Sequence, residues 1–276
     1  MASFRSDPPP LTSGNSRVKD ARKLARRASR AERRTFLADG PKAVEAALLA
    51  EGCLLEVFAT AAASEQYAEL RAASPRWSVV DDRALASLSD AVHPQGLVGV
   101  CRFIDRPLGH LLSGATASSA GPRLVTICAD VRDPGNAGTV IRCADAAGGD
   151  IVVLAGHSVD AYNPKTVRAT AGSLFHVPLA IEPSPADAVA TVQGAGLVVL
   201  AADGAGELDL DEAIDTGLLR SPTAWLFGNE AWGLPEELAA LADHRVRIPL
   251  HGRAESLNLS TAAAVCLYAS ARAQRR

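Results

Sequence analysis

Residues Arg123 to Asp130 read Arg-Leu-Val-Thr-Ile-Cys-Ala-Asp, an apolar run rich in β-branched residues with no polar alternation. Such a strand has no face to give to water, so it belongs in a parallel sheet covered on both sides. A polar turn follows at once, Asp133-Pro134-Gly135-Asn136-Ala137-Gly138, and Thr139 to Ala147 then reads as a short helix ended by Gly148 and Gly149. The order recurs at Thr223 to Phe227, an apolar strand with the turn Gly228-Asn229-Glu230-Ala231-Trp232-Gly233-Leu234 and a helix opening on Pro235 and two acids. Proline gives up an N–H that a first helical turn does not need, and acids suit the positive end of the helix dipole. A third strand, Arg245 to Leu250, closes in Ile248-Pro249-Leu250 and leads through the loop His251 to Glu255 into a long alanine-rich helix from Ser256 to Ala273. Strands that each pass through a polar turn into a helix imply an α/β fold, in which ligands gather at the carboxyl ends of the strands.

The polar residues of these turns admit two readings each. Asn136 and Arg142 are a helix cap and a surface cation, or ligand contacts at a strand end. Glu230 is a solvated loop acid or a functional carboxylate. Ser256 suits an N-cap. Asn258 falls inside the first turn of its helix, where asparagine is a poor residue, so a polar task directed back at the loop is expected of it.

Together and in order, the three segments resemble the motifs of the SpoU/TrmH family of RNA ribose 2'-O-methyltransferases, within the SPOUT superfamily. The resemblance implies an α/β architecture whose C-terminal domain, residues 123–276, is a trefoil-knotted methyltransferase with S-adenosylmethionine held between the second and third motifs. Carried over by position, Gly228, Ile248, Leu250 and Leu257 are the expected cofactor contacts. Arg142, Asn136, Glu230, Ser256 and Asn258 are the expected catalytic residues. The family's proposed base is the motif-one arginine, but a guanidinium stays protonated. Arg142 is therefore expected to fix the ribose and its phosphate, with Asn136 orienting Arg142 or the substrate. No metal is expected, because a sulfonium already supplies the leaving-group driving force. The family also implies a homodimer, for which the apolar face of the last helix is the expected surface, and substrate contact at His251, Gly252 or Arg253.

The first half of the chain differs in charge. The 276 residues carry a formal net charge of -3. Yet Arg17 to Lys42 holds ten Lys or Arg against three Asp or Glu, a local +7, which leaves -10 for the rest. Arg17 to Arg34 reads as a helix charged nearly all round, an arm suited to phosphate contact. Helix-like and strand-like segments alternate from Pro41 to Arg102, and the sequences Phe36-Leu-Ala-Asp-Gly40 and His93-Pro-Gln-Gly-Leu-Val-Gly99 resemble the L30e-like substrate-binding domain that precedes SpoU catalytic domains. The expected organisation is a disordered segment 1–16, a basic arm with the small L30e-like α/β domain over 17–104, a Gly/Ser/Pro-rich linker 105–122 and the catalytic domain.

Five cysteines without CxxC spacing and no signal peptide point to reduced thiols in the cytoplasm. Six scattered histidines give no metal spacing, and no apolar stretch reaches membrane-spanning length. A dinucleotide-binding oxidoreductase would need GxGxxG after its first strand; Asp203-Gly-Ala-Gly206 follows a late strand with the wrong spacing. A noncatalytic RNA-binding protein on the same scaffold would be expected to have lost motif residues that are all present here. Ribosomal RNA, most directly the 23S species, is favoured over transfer RNA because of the arm and the L30e-like domain.

Overall fold

The computed structural model describes residues 9–114 and 121–275. It forms two compact units, the first running to Phe103 and taking in Tyr162–Arg168, the second made of Ile104–Ala161 and the chain from Ala169 onward.

The first unit has four strands, β1 (Thr35–Asp39), β2 (Leu54–Ala59), β3 (Trp77–Val79) and β4 (Leu97–Arg102), in the order β1-β4-β2-β3. β4 is antiparallel to β1 and β2, while β2 and β3 are parallel. Its helices are α1 (Ser16–Arg22), α2 (Arg27–Arg33), α3 (Pro41–Leu49), α4 (Ala61–Gln66), α5 (Ala68–Ala73) and α6 (Asp82–Ala86).

The basic arm departs from the expected single helix. A 3-10 turn at Lys23–Ala25 and an extended Arg26 divide it into α1 and α2. Val18, Ala21 and Leu24, three residues apart in turn, are buried with Leu37, Phe58, Val80 and Val98. Spacing by three puts them on one stripe, and that stripe is core. Arg30 is buried too, its Nη1 donating to the carbonyls of Leu24 and Ala25 at 2.8 Å each. Arg17 pairs with Glu56, Lys23 with Asp20 at 2.8 Å, and Arg33 lies 3.8 Å from Asp20. Lys19, Arg22, Arg26 and Arg27 are exposed, and their side chains make no hydrogen bond or ion pair among the described residues.

Disorder to residue 16 was too long an expectation. Residues 1–8 lie outside the described residues, but Leu11 exchanges backbone bonds with Val79 and Asp81, and Asn15 caps α1. Two backbone hydrogen bonds, one to the end of β3 and one from the residue that caps α6, and a helix cap satisfy groups that a disordered segment would leave to water.

The second unit holds β5 (Leu124–Ala129), β6 (Ile151–Ala155), β7 (Leu179–Glu182), β8 (Val198–Ala202), β9 (Leu208–Asp209), β10 (Thr223–Phe227) and β11 (His244–Arg247). Their order is β7-β6-β5-β10-β8-β11-β9, with every pairing parallel. The central strands β5, β6 and β10 are buried at every position, as their unbroken apolar sequences require. The later helices are α7 (Leu108–Leu112), α8 (Pro134–Ala147), α9 (Pro164–Ala169), α10 (Pro185–Gly194), α11 (Leu210–Asp215), α12 (Glu236–Ala239) and α13 (Leu259–Gln274); all but α9, which falls almost wholly in the first unit, belong to the second. Alternate residues of the strands face α7 and α10 on one side and α8 and α13 on the other. On the latter side the buried Trp225 donates its indole N–H to Ser270 at 2.8 Å, fastening α13 to β10.

α7 lies within the expected linker. Residues 115–120 of that linker are outside the described residues, but Leu108, Leu111 and Leu112 are core. Their i, i+3, i+4 spacing is a helix signal that the surrounding glycine and serine obscured.

Candidate active site

Three segments converge where β5, β10 and β11 end. At the first, α8 begins at Pro134, five residues before the expected start. Asp133 is its N-cap, accepting the Asn136 N–H at 2.8 Å, with proline at the first helical position. Asn136 thus sits in the first turn of the helix instead of in a preceding loop. At the other end Gly148 adopts a left-handed φ of 72° and closes the helix, as the glycine pair implied.

The second segment is a tight loop. Asn229 and Gly233 exchange backbone hydrogen bonds at 2.9 Å each, and the buried Asn229 side chain accepts from Ala231 N–H at 2.8 Å while donating to the Asp130 carbonyl at 2.7 Å. Asp130, at the end of β5, turns through a left-handed φ of 55° to present that carbonyl. A Cβ on Gly228 would sit 2.5 Å from the Leu234 nitrogen and closer still to the Gly233 carbonyl. Gly228 is therefore needed for the loop to close upon itself. The chain makes a similar approach at Gly206, where a Cβ would lie 2.6 Å from the Arg245 carbonyl oxygen.

The loop aims Glu230 at the first segment. Its carboxylate accepts the N–H groups of Arg132 at 3.1 Å and Asp133 at 3.0 Å, and the Asn136 side-chain amide at 3.2 Å. Burial pushes this carboxyl up, but those donors and the N–H of Glu230 itself outweigh it and hold it below its ordinary value. Beneath it burial, assisted by the Glu230 charge, drives the Cys128 thiol up to about 12, so this thiol stays protonated at neutral pH.

The third segment joins the same network. Asn258 donates its amide to Asn136 Oδ1 at 3.0 Å. Its own Oδ1 accepts the Ser260 N–H at 2.9 Å, making Asn258 the N-cap of α13. That replaces Ser256, which was expected to hold this position. The helix begins three residues later than the sequence reading, and an asparagine that looked misplaced in a helix is its cap.

Beside the network lies a cleft of about 330 Å³ whose walls include Gly228, Glu230, Ile248, Leu250, Ser256 and Leu257. All four expected cofactor contacts line it. Asp203 and Gly204 add a wall that the sequence reading had set aside as a failed dinucleotide motif. Asp203 is held by Arg245, which reaches it at 2.7 Å and Glu236 at 2.7 Å. Burial raises the Asp203 carboxyl, whereas the Ala205 N–H and Arg245 lower it, and the net shift is downward. Apolar walls with a few ionised groups at the rim suit a flat heteroaromatic base carrying a cationic chain.

Arg142 stands apart from this cluster. It is exposed on α8 and does not line the cleft, and its side chain makes no hydrogen bond or ion pair among the described residues. Six residues separate it from Asn136, which places the two on different helix faces about 9 Å apart along the axis. Asn136 is engaged by Glu230 and Asn258 and makes no hydrogen bond to Arg142, one of the two groups it was expected to orient, the other being the substrate. His251, Gly252 and Arg253 are exposed and likewise outside the cleft walls.

Asn229, Asp133 and Asp203 have tasks that their local sequence does not signal. The partners that define those tasks are remote in sequence or are backbone groups.

Residues 123–268 match the SpoU rRNA Methylase family, and residues 15–99 match the MRM3-like substrate binding domain. The chain is 33% identical over 257 residues to a 23S rRNA (guanosine(2553)-2'-O)-methyltransferase, RlmP, of Bacillus subtilis, covering 92% of this chain and 95% of that protein. Among solved structures, an AdoMet-bound rRNA methyltransferase from Sinorhizobium meliloti superposes with a TM-score of 0.78 at 34% identity, over 96% of this chain and 97% of that one. The SpoU methyltransferase AviRb from Streptomyces viridochromogenes, in complex with AdoMet, gives 0.80 at 28% identity, over 95% and 99%.

Proposed function

The chain belongs to the SpoU rRNA methylase family, and from that premise we propose that it methylates a ribose 2'-hydroxyl of ribosomal RNA, with 23S rRNA the favoured substrate. The observation that carries the reading is the Glu230 carboxylate, which gathers three donors from the first motif at the lip of the apolar cleft.

S-adenosylmethionine, when bound, supplies an electrophilic methyl on a sulfonium. The cleft fits it: its floor is backbone at Gly228, its sides are Ile248, Leu250 and Leu257, and Asp203 and Glu255 add carboxylates suited to hydroxyl and ammonium groups. Glu230, Asn136 and Asn258 hold the first motif, the cleft and the start of α13 in fixed relation, so the attacking hydroxyl meets a rigid frame. Ser256, exposed on the cleft wall, adds a hydroxyl to that polar side. The Arg142 guanidinium has no hydrogen-bond or ion-pair partner among the described residues, which suits it to grip the ribose and adjoining phosphate. The 2'-oxygen would bond to the methyl carbon as the carbon–sulfur bond breaks, its proton would pass to solvent water, and Arg142 would stabilise the negative charge that develops on the oxygen.

The trefoil knot belongs to this reading, supported by the parallel order of β8, β10 and β11 and by the close backbone approaches at Gly206 and Gly228. So does a homodimer, for which Val265 and Tyr268 on the outer face of α13 offer exposed apolar surface. Among the described residues no helix is long and apolar enough to cross a membrane. A cytoplasmic location, where ribosomal RNA is handled, accompanies the proposal.

The test is incubation with tritiated S-adenosylmethionine and undermethylated 23S rRNA, with transfer RNA in parallel, followed by mapping of the labelled ribose. Label confined to transfer RNA would overturn the substrate, and label on a base would overturn the reaction. Arg142→Ala is expected to abolish transfer while calorimetry shows the cofactor still bound.

A further inference from the structure

Of the two large apolar side chains of the second-motif loop, Leu234 packs against the core, and Trp232 lies outside both core and cleft. It is 59% exposed, is absent from the cleft walls, and its indole N–H has no partner among the described residues. Its neighbours account for themselves. Glu230 faces the first motif, and Ala231 and Gly233 line the cleft.

The backbone that carries the indole is held in place. Asn229 and Gly233 are bonded to one another in both directions at 2.9 Å, and Asn229 Oδ1 fixes Ala231 N–H at 2.8 Å. The tip is thus held at both ends, and Trp232 is presented on a stiff support two residues from the carboxylate that organises the site. A rigid aromatic costs little entropy to bind against. An unstacked nucleobase needs such a surface, because sequence-specific RNA recognition splays bases from single-stranded loops and stacks them on aromatic side chains.

Resting on the reaction assigned above, we propose that Trp232 is a substrate contact, a stacking platform for a nucleobase next to the ribose that is methylated. The indole takes the base face and leaves the ribose edge toward Glu230 and Asn258. It acts in this way on RNA affinity and on the placement of the 2'-hydroxyl, and not on cofactor binding.

The chain's three tryptophans make the test direct. Trp225 is buried and bonded to Ser270, and Trp77 is half-buried and bonded to Ser64, so Trp232 alone is largely exposed. Stacking by a base quenches indole emission. The full chain and Trp232→Phe are titrated with an undermethylated 23S rRNA fragment, following emission and, separately, affinity by filter binding. Quenching is expected in the wild type and absent in Trp232→Phe, whose affinity stays near wild type because a phenyl ring still stacks. Trp232→Ala is expected to lose roughly tenfold or more in RNA affinity, with S-adenosylmethionine affinity unchanged by calorimetry. Equal quenching in Trp232→Phe, or wild-type RNA affinity in Trp232→Ala, overturns the proposal. So does a change of oligomeric state in Trp232→Ala by sedimentation, which would make a second copy of the chain the occupant. If quenching and the weaker binding of the alanine variant are both seen but no RNA is methylated, the stacking role stands and the reaction assignment falls.

Discussion

The cluster around Glu230 and the basic helices α1 and α2 use charge in opposite ways. Glu230 is surrounded by donors contributed by residues 132, 133 and 136, and its charge is committed to geometry. The side chains of Lys19, Arg22, Arg26 and Arg27 have no partners among the described residues and lie exposed on helices whose buried stripe is Val18, Ala21 and Leu24. A committed charge within bonding distance of its donors is little affected by salt, whereas a free surface cation acts through displaced counterions and is strongly affected. The first should govern turnover and the second RNA affinity.

The largest expected effect that could break this contrast is on turnover. Glu230→Gln keeps the shape but turns an amide toward N–H donors, so the first motif loses its frame; we expect kcat to fall by roughly a hundredfold or more, with RNA affinity and its salt dependence unchanged. A parallel fall in RNA affinity would show that the two regions do not divide the work.

Reversing the four free cations to Glu should do the converse. RNA affinity is expected to drop, and the slope of log affinity against log salt to flatten by about 0.9 for each duplex phosphate that is no longer neutralised, or about 0.7 on single strands. The cofactor should bind as before. An unchanged slope would make these side chains a merely solvated face. Removing everything before Phe36 is a poorer test, because it would also delete Val18, Ala21 and Leu24 from the core of the first unit.

Gly228→Ala sharpens the account of the cleft. The added methyl meets the Gly233–Leu234 backbone before it meets any ligand, so we expect stability to fall by about 1–3 kcal/mol together with cofactor affinity. Thermal melts with and without S-adenosylmethionine separate the two. Weaker cofactor binding at full stability would mean that the methyl points into the cleft after all.

Asn258→Ala should be milder, costing about 1 kcal/mol through the missing helix cap, and should lower turnover by freeing Asn136. The smallest effect is that of acid. The Glu230 carboxyl is depressed in the folded protein, so its contribution is fully present above the ordinary value of 4.5 and is lost as pH falls through the lower folded value. The stability difference between wild type and Glu230→Gln should therefore shrink on acidification below pH 4.5. A difference constant from about pH 6 to about pH 3 would contradict the depressed carboxyl.

Legibility followed the range of the interactions. The strand before the first motif, the glycine that closes α8 and the apolar run of β10 were readable because each depends on neighbours within a few residues. The cleft residues Gly228, Ile248, Leu250 and Leu257 were placed by motif position, and all four are found on its walls. Element starts were less readable. α8 starts earlier and α13 later than the periodicity suggested, because Asp133 and Asn258 take the caps. Propensity alone could not choose Asn258 over Ser256, since both residue types cap well.

The sequence by itself determined a parallel α/β sheet, through strands too apolar to show water either face, and it supplied the loops that end them. Only the tertiary structure decided what those loops do. It set Glu230 against residues 94 to 98 positions earlier, joined Asn258 to Asn136 across 122 positions, and left Arg142 without a partner among the described residues. Local periodicity records which face of an element is buried. It carries no record of which distant donor will meet a given acceptor, because that pairing exists only once the sheet has brought the strand ends side by side.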